Sequence, residues 1–205
     1  MNIYGNQEEN LDFVMNDIVN RIKICFDKQF SENETRLYEH LIYRIKDPEH
    51  MKEKCHRNNL EATPINALKH LYDSIGLRVV CLFREDVYKI VEFIRNFDNC
   101  TVFNEKDYIK KSKPNGYRSY HMIIEVTEPI EDIEGNNPGK FYVEIQLRTI
   151  AMDTWAALEH EIKYKKDLQN PELIEQSLKL CADQLASCDI QMQTVKDFAN
   201  GKINK

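Results

Sequence analysis

The sequence predicts an α/β chain, a sheet with helices around it and helical extensions at both ends. Three stretches carry that expectation. Ile75-Gly-Leu-Arg-Val-Val-Cys-Leu-Phe83 is apolar and β-branched, the composition of a buried strand. Phe141-Tyr-Val-Glu-Ile-Gln-Leu-Arg-Thr149 alternates: Val143, Ile145 and Leu147 fall on one side, Glu144, Gln146 and Arg148 on the other. Apolar residues near both ends of the chain step by four and three, the spacing of a helix stripe.

The chain has 205 residues, 42% hydrophobic and 30% charged, enough for one domain with a core plus helical extensions. No apolar run approaches a membrane span. The first ten residues lack the basic start and apolar stretch of a signal peptide. Six scattered cysteines without a Cys-x-x-Cys read as reduced thiols, with no disulfide frame and no zinc site. Together these point to a cytoplasmic protein without a membrane partner.

Taken in order, residues 9–30 form a helix with Leu11, Met15, Ile18, Ile22 and Cys25 on one stripe. A second helix is expected over residues 32–43, with Ser31 as its N-cap. Pro48 opens a helix over residues 48–58 rich in cations, with Lys54 and Arg57 on one face. Asn66–Tyr72 is a short helical segment before the strand at 75–83. Asp73 stands at that strand's start and Arg78 interrupts it, which is costly unless the guanidinium meets an anion. Residues 85–97 are an amphipathic helix, and Cys100–Phe103 a short strand. Ser119–Val126 is a strand, joined to the one at 141–149 through the turn-rich, acidic residues 127–139. Ala151–Lys165 is a helix with the single tryptophan, Trp155, and a Glu159-His160 pair. In the last helix, residues 171–199, Ile174, Leu178, Cys181, Leu185, Cys188, Met192 and Val195 form a heptad seam that packs on the first helix or on another subunit.

Lys106 to His121 reverses the local charge: five basic residues and one acid give +4 in a chain of net −6. That suggests a polyanionic ligand. Pro114-Asn115-Gly116 is a tight turn, and Tyr117 follows on its lip, where a ring can stack on a base. Asp73 and Glu144 can share Mg²⁺ if their strands are close, since Mg²⁺ favours one or two carboxylates plus substrate phosphates. Arg44, Lys46, Lys54, Arg57 and Arg78 then read as a phosphate clamp. No Walker loop or GxGxxG is present.

The order Arg44-Ile-Lys46, Asp73-Ser-Ile-Gly-Leu-Arg78, Lys106-Asp-Tyr-Ile, Lys113-Pro-Asn-Gly-Tyr-Arg-Ser-Tyr-His121, Glu144-Ile-Gln-Leu-Arg-Thr149 and Trp155-Ala-Ala-Leu-Glu-His160 resembles the RelA/SpoT synthetase domain over about residues 40–165. With no hydrolase domain before it and one helix after, it is similar to the small alarmone synthetases. The resemblance implies a nucleotidyltransferase-like fold, a mixed sheet with helices on both faces. It divides the chain into an N-terminal helical extension (1–39), a synthetase domain (40–165) and a C-terminal oligomerisation helix (166–205). It implies a Mg²⁺-dependent GTP pyrophosphokinase that moves the β,γ-pyrophosphate of ATP to the 3′-hydroxyl of a guanine nucleotide in the stringent response, and a homo-oligomer, commonly a tetramer. By the same resemblance Asp73 and Glu144 hold metal, with Glu144 the candidate base. Arg44 and Arg78 sandwich adenine, which replaces their first reading as phosphate clamps. Lys46, Lys54 and Arg57 face the ATP phosphates. Tyr117 stacks on guanine, with Lys113, Asn115, His121, Gln146, Arg148 and Lys106 on the guanine-nucleotide side.

The sequence departs from the family where Tyr120 replaces an aliphatic residue, expected to be a packing change, and at Asn104, which leaves the acceptor open among GMP, GDP and GTP. The rival reading is a catalytically silent nucleotide- or RNA-binding regulator on the same fold; single-stranded RNA and an allosteric nucleotide stay open as further partners. Retention of both Asp73 and Glu144 speaks against silence.

Overall fold

The computed structural model describes residues 2–163 and 169–202. In chain order the elements are α1 (Glu8–Asn33), β1 (Tyr38–Ile45), α2 (Pro48–Arg57), a π-helical turn (Asn66–His70), β2 (Ile75–Cys81), α3 (Arg84–Arg95), β3 (Cys100–Asp107), β4 (Tyr120–Glu128), β5 (Gly139–Thr149), α4 (Ile150–Lys163) and α5 (Pro171–Ala199). The strands form one mixed sheet in the order β1-β2-β5-β4-β3, with β2 and β5 parallel and the other pairs antiparallel.

Period-two alternation divides this sheet into unlike faces. Leu77, Ile145 and Met122 occupy one rung across β2, β5 and β4, and all three are buried. Ile75, Val143 and Ile124 form the next. α1 and α3 belong to the same core through Leu11, Ile18 and Ile22 and through Val87, Ile90 and Ile94. The opposite face carries the Arg78–Gln146–His121 rung and the Gly76–Glu144–Ile123 rung.

The helix expected over residues 32–43 is absent. α1 runs on through Ser31, whose Oγ donates to the Lys28 carbonyl, and stops where Glu34 turns left-handed at φ 51°. Residues 38–45 are a strand instead, paired with β2 from Tyr38↔Cys81 to Ile45↔Ile75. Leu37 and Leu41 have helical spacing, but the aromatic and β-branched Tyr38, Ile42, Tyr43 and Ile45 suit a pleated surface. The strand begun at Cys100 also runs on, to Asp107.

α5 packs on α4 and α3, and among the described residues its buried seam residues cluster with α4 rather than with α1. Leu178 and Ala182 meet Trp155 and Ala156, and Trp155 Nε1 donates to the Leu178 carbonyl at 2.8 Å. Lys196 ties the far end to Glu85 and Asp86 of α3, both at 2.8 Å. The expected boundary between residues 165 and 166, and the end of the helix expected to reach Lys165, lie outside the described residues. All six cysteines are free, Cys81 and Cys55 in the core. No described helix is long and apolar enough to cross a membrane.

Candidate active site

The register decides which side chains meet. On the polar face, Ile42, Arg78, Gln146, His121 and Lys106 lie on one rung from β1 to β3, and Arg44, Gly76, Glu144 and Ile123 on the next. Residues 44 and 146 are far apart in the chain, and strand order alone brings them onto adjacent rungs. Gly76 leaves the floor low between Arg44 and Glu144.

Two clefts open on this face. The larger, about 450 Å³, is lined by Ile42, Arg44, Lys46, Asp73, Gly76, Leu77, Arg78, Glu144 and Gln146. The smaller, about 120 Å³, is lined by Asn104, Glu105, Lys106, Tyr108, Lys113, His121, Ile123 and Glu144. Glu144 borders both. Tyr142, two residues before Glu144 on β5, packs with Tyr72 and Phe103, the ring centres 4.7–5.1 Å apart.

Asp73 sits just before β2. Its Oδ2 accepts from Lys46 Nζ at 2.5 Å and pairs with Lys54 Nζ at 2.6 Å. Its Oδ1 is buried with no hydrogen-bond partner among the described residues, so it has accepting capacity left over. Asp47 places Lys54 by capping α2, accepting from the Glu49 and His50 amides. Tyr4, buried, props Lys46 by donating to its carbonyl at 2.6 Å. Arg57 ends α2 exposed and lines neither cleft.

Glu144 Oε2 accepts from Gln146 Nε2 at 3.0 Å, and Oε1 faces His121 Nδ1 at 3.5 Å. Burial works to raise this carboxyl, but the hydrogen bond and charge of His121, then Gln146 and Lys54, hold it below the usual value, so it is a carboxylate at neutral pH. Arg78 meets its anion on α4: NH1 lies 3.3 Å from Asp153 Oδ1. Burial and the neighbouring Arg148 pull the Arg78 guanidinium below its ordinary value, against Asp153.

The Pro114-Asn115-Gly116 turn forms as the sequence predicts. Gly116 has φ +92°, and a Cβ there would lie 2.5 Å from the Ala182 Cβ of α5. Asn115 Oδ1 accepts from the Tyr117 amide at 3.1 Å and its Nδ2 reaches Glu159 at 3.3 Å. Tyr117 is half-buried, not standing on an open lip; its ring packs edge-on to Trp155 and His121. Lys113 Nζ lies 4.8 Å from the centres of both the Tyr108 and Tyr117 rings. Arg118 points to α5, bonding the Ala182 carbonyl and Asp183, and so serves the fold. Tyr120 is buried on the apolar face, its hydroxyl donating to Glu105, so the departure is one of packing.

A family model described as "Region found in RelA / SpoT proteins" matches residues 43–169. The chain belongs to the RelA/SpoT family. Among its relatives, GTP pyrophosphokinase YwaC of Bacillus subtilis (strain 168) is 36% identical over 162 residues, 77% of this chain and 73% of the relative. The crystal structure of small alarmone synthetase 2 from Bacillus subtilis superposes with a TM-score of 0.80 at 31% identity, covering 94% of this chain and 98% of that one. Small alarmone synthetase 1 from the same organism, bound to its product pppGpp, gives 0.79 at 26% identity over 95% of each chain.

Within this RelA/SpoT chain, four contributors escaped the sequence reading: Tyr4, Tyr108, Gly76 and Asp153. Asp153 alone had a signal. A guanidinium inside a strand demands a carboxylate, and Asp153 is an acid in the first turn of α4, the helix that follows β5. Among the described residues no three His, Cys, Asp or Glu gather to hold a metal by themselves.

Proposed function

We propose that this chain is an alarmone synthetase, transferring the β,γ-pyrophosphate of ATP to the 3′-hydroxyl of a guanine nucleotide. The observation that carries this reading is the pair of clefts meeting at one carboxylate, Glu144. A two-substrate transfer needs a donor pocket, an acceptor pocket and a base between them. The larger cleft, with Arg44 and Arg78 for adenine and Lys46 and Lys54 for phosphates, suits ATP. The smaller, with Lys106, Lys113 and His121, suits the guanine nucleotide, with Tyr117 stacking on the base.

In the reaction the 3′-oxygen bonds to the β-phosphorus of ATP as the bond from that phosphorus to the α,β-bridging oxygen breaks. AMP leaves, and the hydroxyl proton passes to Glu144. Lys46 and Lys54, both paired with Asp73, are placed to neutralise the phosphates. Asp73 and Glu144 fit Mg²⁺: two carboxylates border the donor cleft and, among the described residues, one buried oxygen of Asp73 has no partner. Bound there, Mg²⁺ would neutralise phosphate charge. The three-part division of the chain, a cytoplasmic setting, and a homo-oligomer, favoured as a tetramer, complete the proposal. Support for the oligomer is the exposed apolar row Leu173, Leu180, Met192 and Val195 on α5.

The test is incubation with labelled ATP, Mg²⁺ and GMP, GDP or GTP in turn. The expected result is AMP with a pyrophosphorylated guanine nucleotide, and the three rates give the acceptor preference. Tight nucleotide binding without AMP would favour the silent regulator.

A further inference from the structure

One carboxylate oxygen outside both clefts holds guanidinium groups from two strands. Asp153 Oδ1 lies 2.9 Å from Arg148 NH1 and 3.3 Å from Arg78 NH1. Among the described residues neither arginine has another acidic partner within ion-pair distance. Asp153 is itself half-buried, and His40 of β1 approaches its other oxygen at 4.0 Å.

Arg148, so held, points NH2 at two acceptors: Gln146 Oε1 at 2.8 Å and the Tyr117 hydroxyl oxygen at 2.9 Å. A guanidinium only donates. Gln146 must therefore offer its oxygen to Arg148, which turns its NH₂ toward Glu144 Oε2, as found. The Tyr117 oxygen is likewise an acceptor from Arg148, which leaves its proton for His121 Nε2 at 2.7 Å. An Nε2 that accepts carries no proton, so the proton of the neutral ring is on Nδ1, facing Glu144 Oε1 at 3.5 Å. The opposite tautomer would leave the Tyr117 proton without an acceptor in this network. It would also set the Nδ1 lone pair against a carboxylate.

We propose that Asp153 is a positioning residue: by aiming Arg148 it sets both donors to Glu144, the amide orientation of Gln146 and the Nδ1–H tautomer of His121. The same oxygen fixes Arg78, so the donor and acceptor sides are held in one frame. This rests on the reading of Glu144 as the base, but its physical core, the tautomer, can be read without any reaction.

Two-bond ¹⁵N–¹H correlation spectra of the ligand-free protein at a pH where the ring is neutral report which imidazole nitrogen carries the proton. The His121→Gln spectrum identifies the signals of His121 among the six histidines. The expected result is Nδ1–H in the wild type, against the usual preference of a free histidine for Nε2–H. Tyr117→Phe keeps the ring and removes the hydroxyl, so it should release His121 to a tautomer mixture. Asp153→Asn should do the same through Arg148, and should lower kcat about tenfold to a hundredfold, the scale for partners that orient a functional side chain, with the acceptor KM nearly unchanged. Nε2–H in the wild type overturns the proposal before any variant is made. So does an unaltered Nδ1–H signal in Tyr117→Phe, or an unaltered tautomer and kcat in folded Asp153→Asn. Absence of AMP from the wild-type protein would instead strike the functional reading, leaving the tautomer result standing.

Discussion

The two faces of the sheet come from the same strands, yet they do opposite work. On β5, Val143, Ile145 and Leu147 are fully buried against the core, while Glu144 and Gln146, one residue along, line the larger cleft. One face gains stability from apolar burial. The other crowds like charges: Arg44, Arg78 and Arg148 lie on one side, and Lys46 and Lys54 share one carboxylate oxygen. Such crowding stabilises nothing by itself and is sensible only where anionic ligands arrive. Function and stability are thus separated by a single residue step, and substitutions on the two faces should separate the same way.

The largest effect should fall on the polar face. Asp73→Asn and Glu144→Gln each keep side-chain size and remove a charge. Turnover should fall at least a thousandfold, about 4 kcal/mol in barrier, with the melting temperature close to wild type. The check is AMP release alongside circular dichroism. A folded variant with near-normal turnover would remove that carboxylate from the mechanism.

Ile145→Ala, between Glu144 and Gln146, should do the reverse. Truncating a fully buried isoleucine costs about 2–5 kcal/mol of stability, measurable by urea denaturation, while the folded fraction keeps turnover near wild type. Loss of turnover without loss of stability would break the division between the faces.

Much of this division is legible in the sequence, because alternation along residues 141–149 is a local property. The buried strand at 75–83 and the Pro-Asn-Gly turn are local too. Strand order is not: nothing near Arg44 says that its strand lies beside β2, and the helical spacing of Leu37 and Leu41 hid that strand altogether. The assembly of the site from Arg44, Asp73, His121 and Glu144 followed only from family resemblance, since convergence depends on a topology that periodicity does not encode. Asp153 was missed for a different reason. Its role is to satisfy other residues, and such groups carry no motif of their own.

A smaller effect sharpens the contrast between the clefts themselves. Tyr117→Ala should weaken guanine-nucleotide binding by about 1–3 kcal/mol, the worth of one base stacked on an aromatic ring, and leave the affinity for a non-hydrolysable ATP analogue within about twofold, roughly 0.4 kcal/mol. Calorimetry with each nucleotide separately is the measurement. Equal weakening of both would show that the half-buried ring supports the whole site and does not serve the acceptor alone.

The smallest effect on the fold, and the most informative for assembly, concerns α1 and α5. Their sequences show the same stepping by four and three, but their surroundings differ. The α1 stripe of Leu11, Met15, Ile18 and Ile22 is buried in the sheet's own core. The α5 seam is split. Leu178 is buried and Leu185 half-buried against α4, whereas Met192 and Val195 are 55% and 62% exposed. A charge at Leu185 therefore damages the domain before it tests any interface. Met192→Glu is the cleaner probe. An exposed substitution should change the stability of the isolated chain by less than about 0.5 kcal/mol, yet a glutamate in an apolar contact between subunits, desolvated and unpaired, should split the oligomer. Light scattering should then show wild-type protein as a multimer and Met192→Glu as a smaller species with unchanged circular dichroism. A wild-type chain that is monomeric at micromolar concentration would leave the exposed half of α5 as ordinary surface. An oligomer untouched by Met192→Glu would place the contact on another face, such as the exposed Tyr43 of the β1 edge.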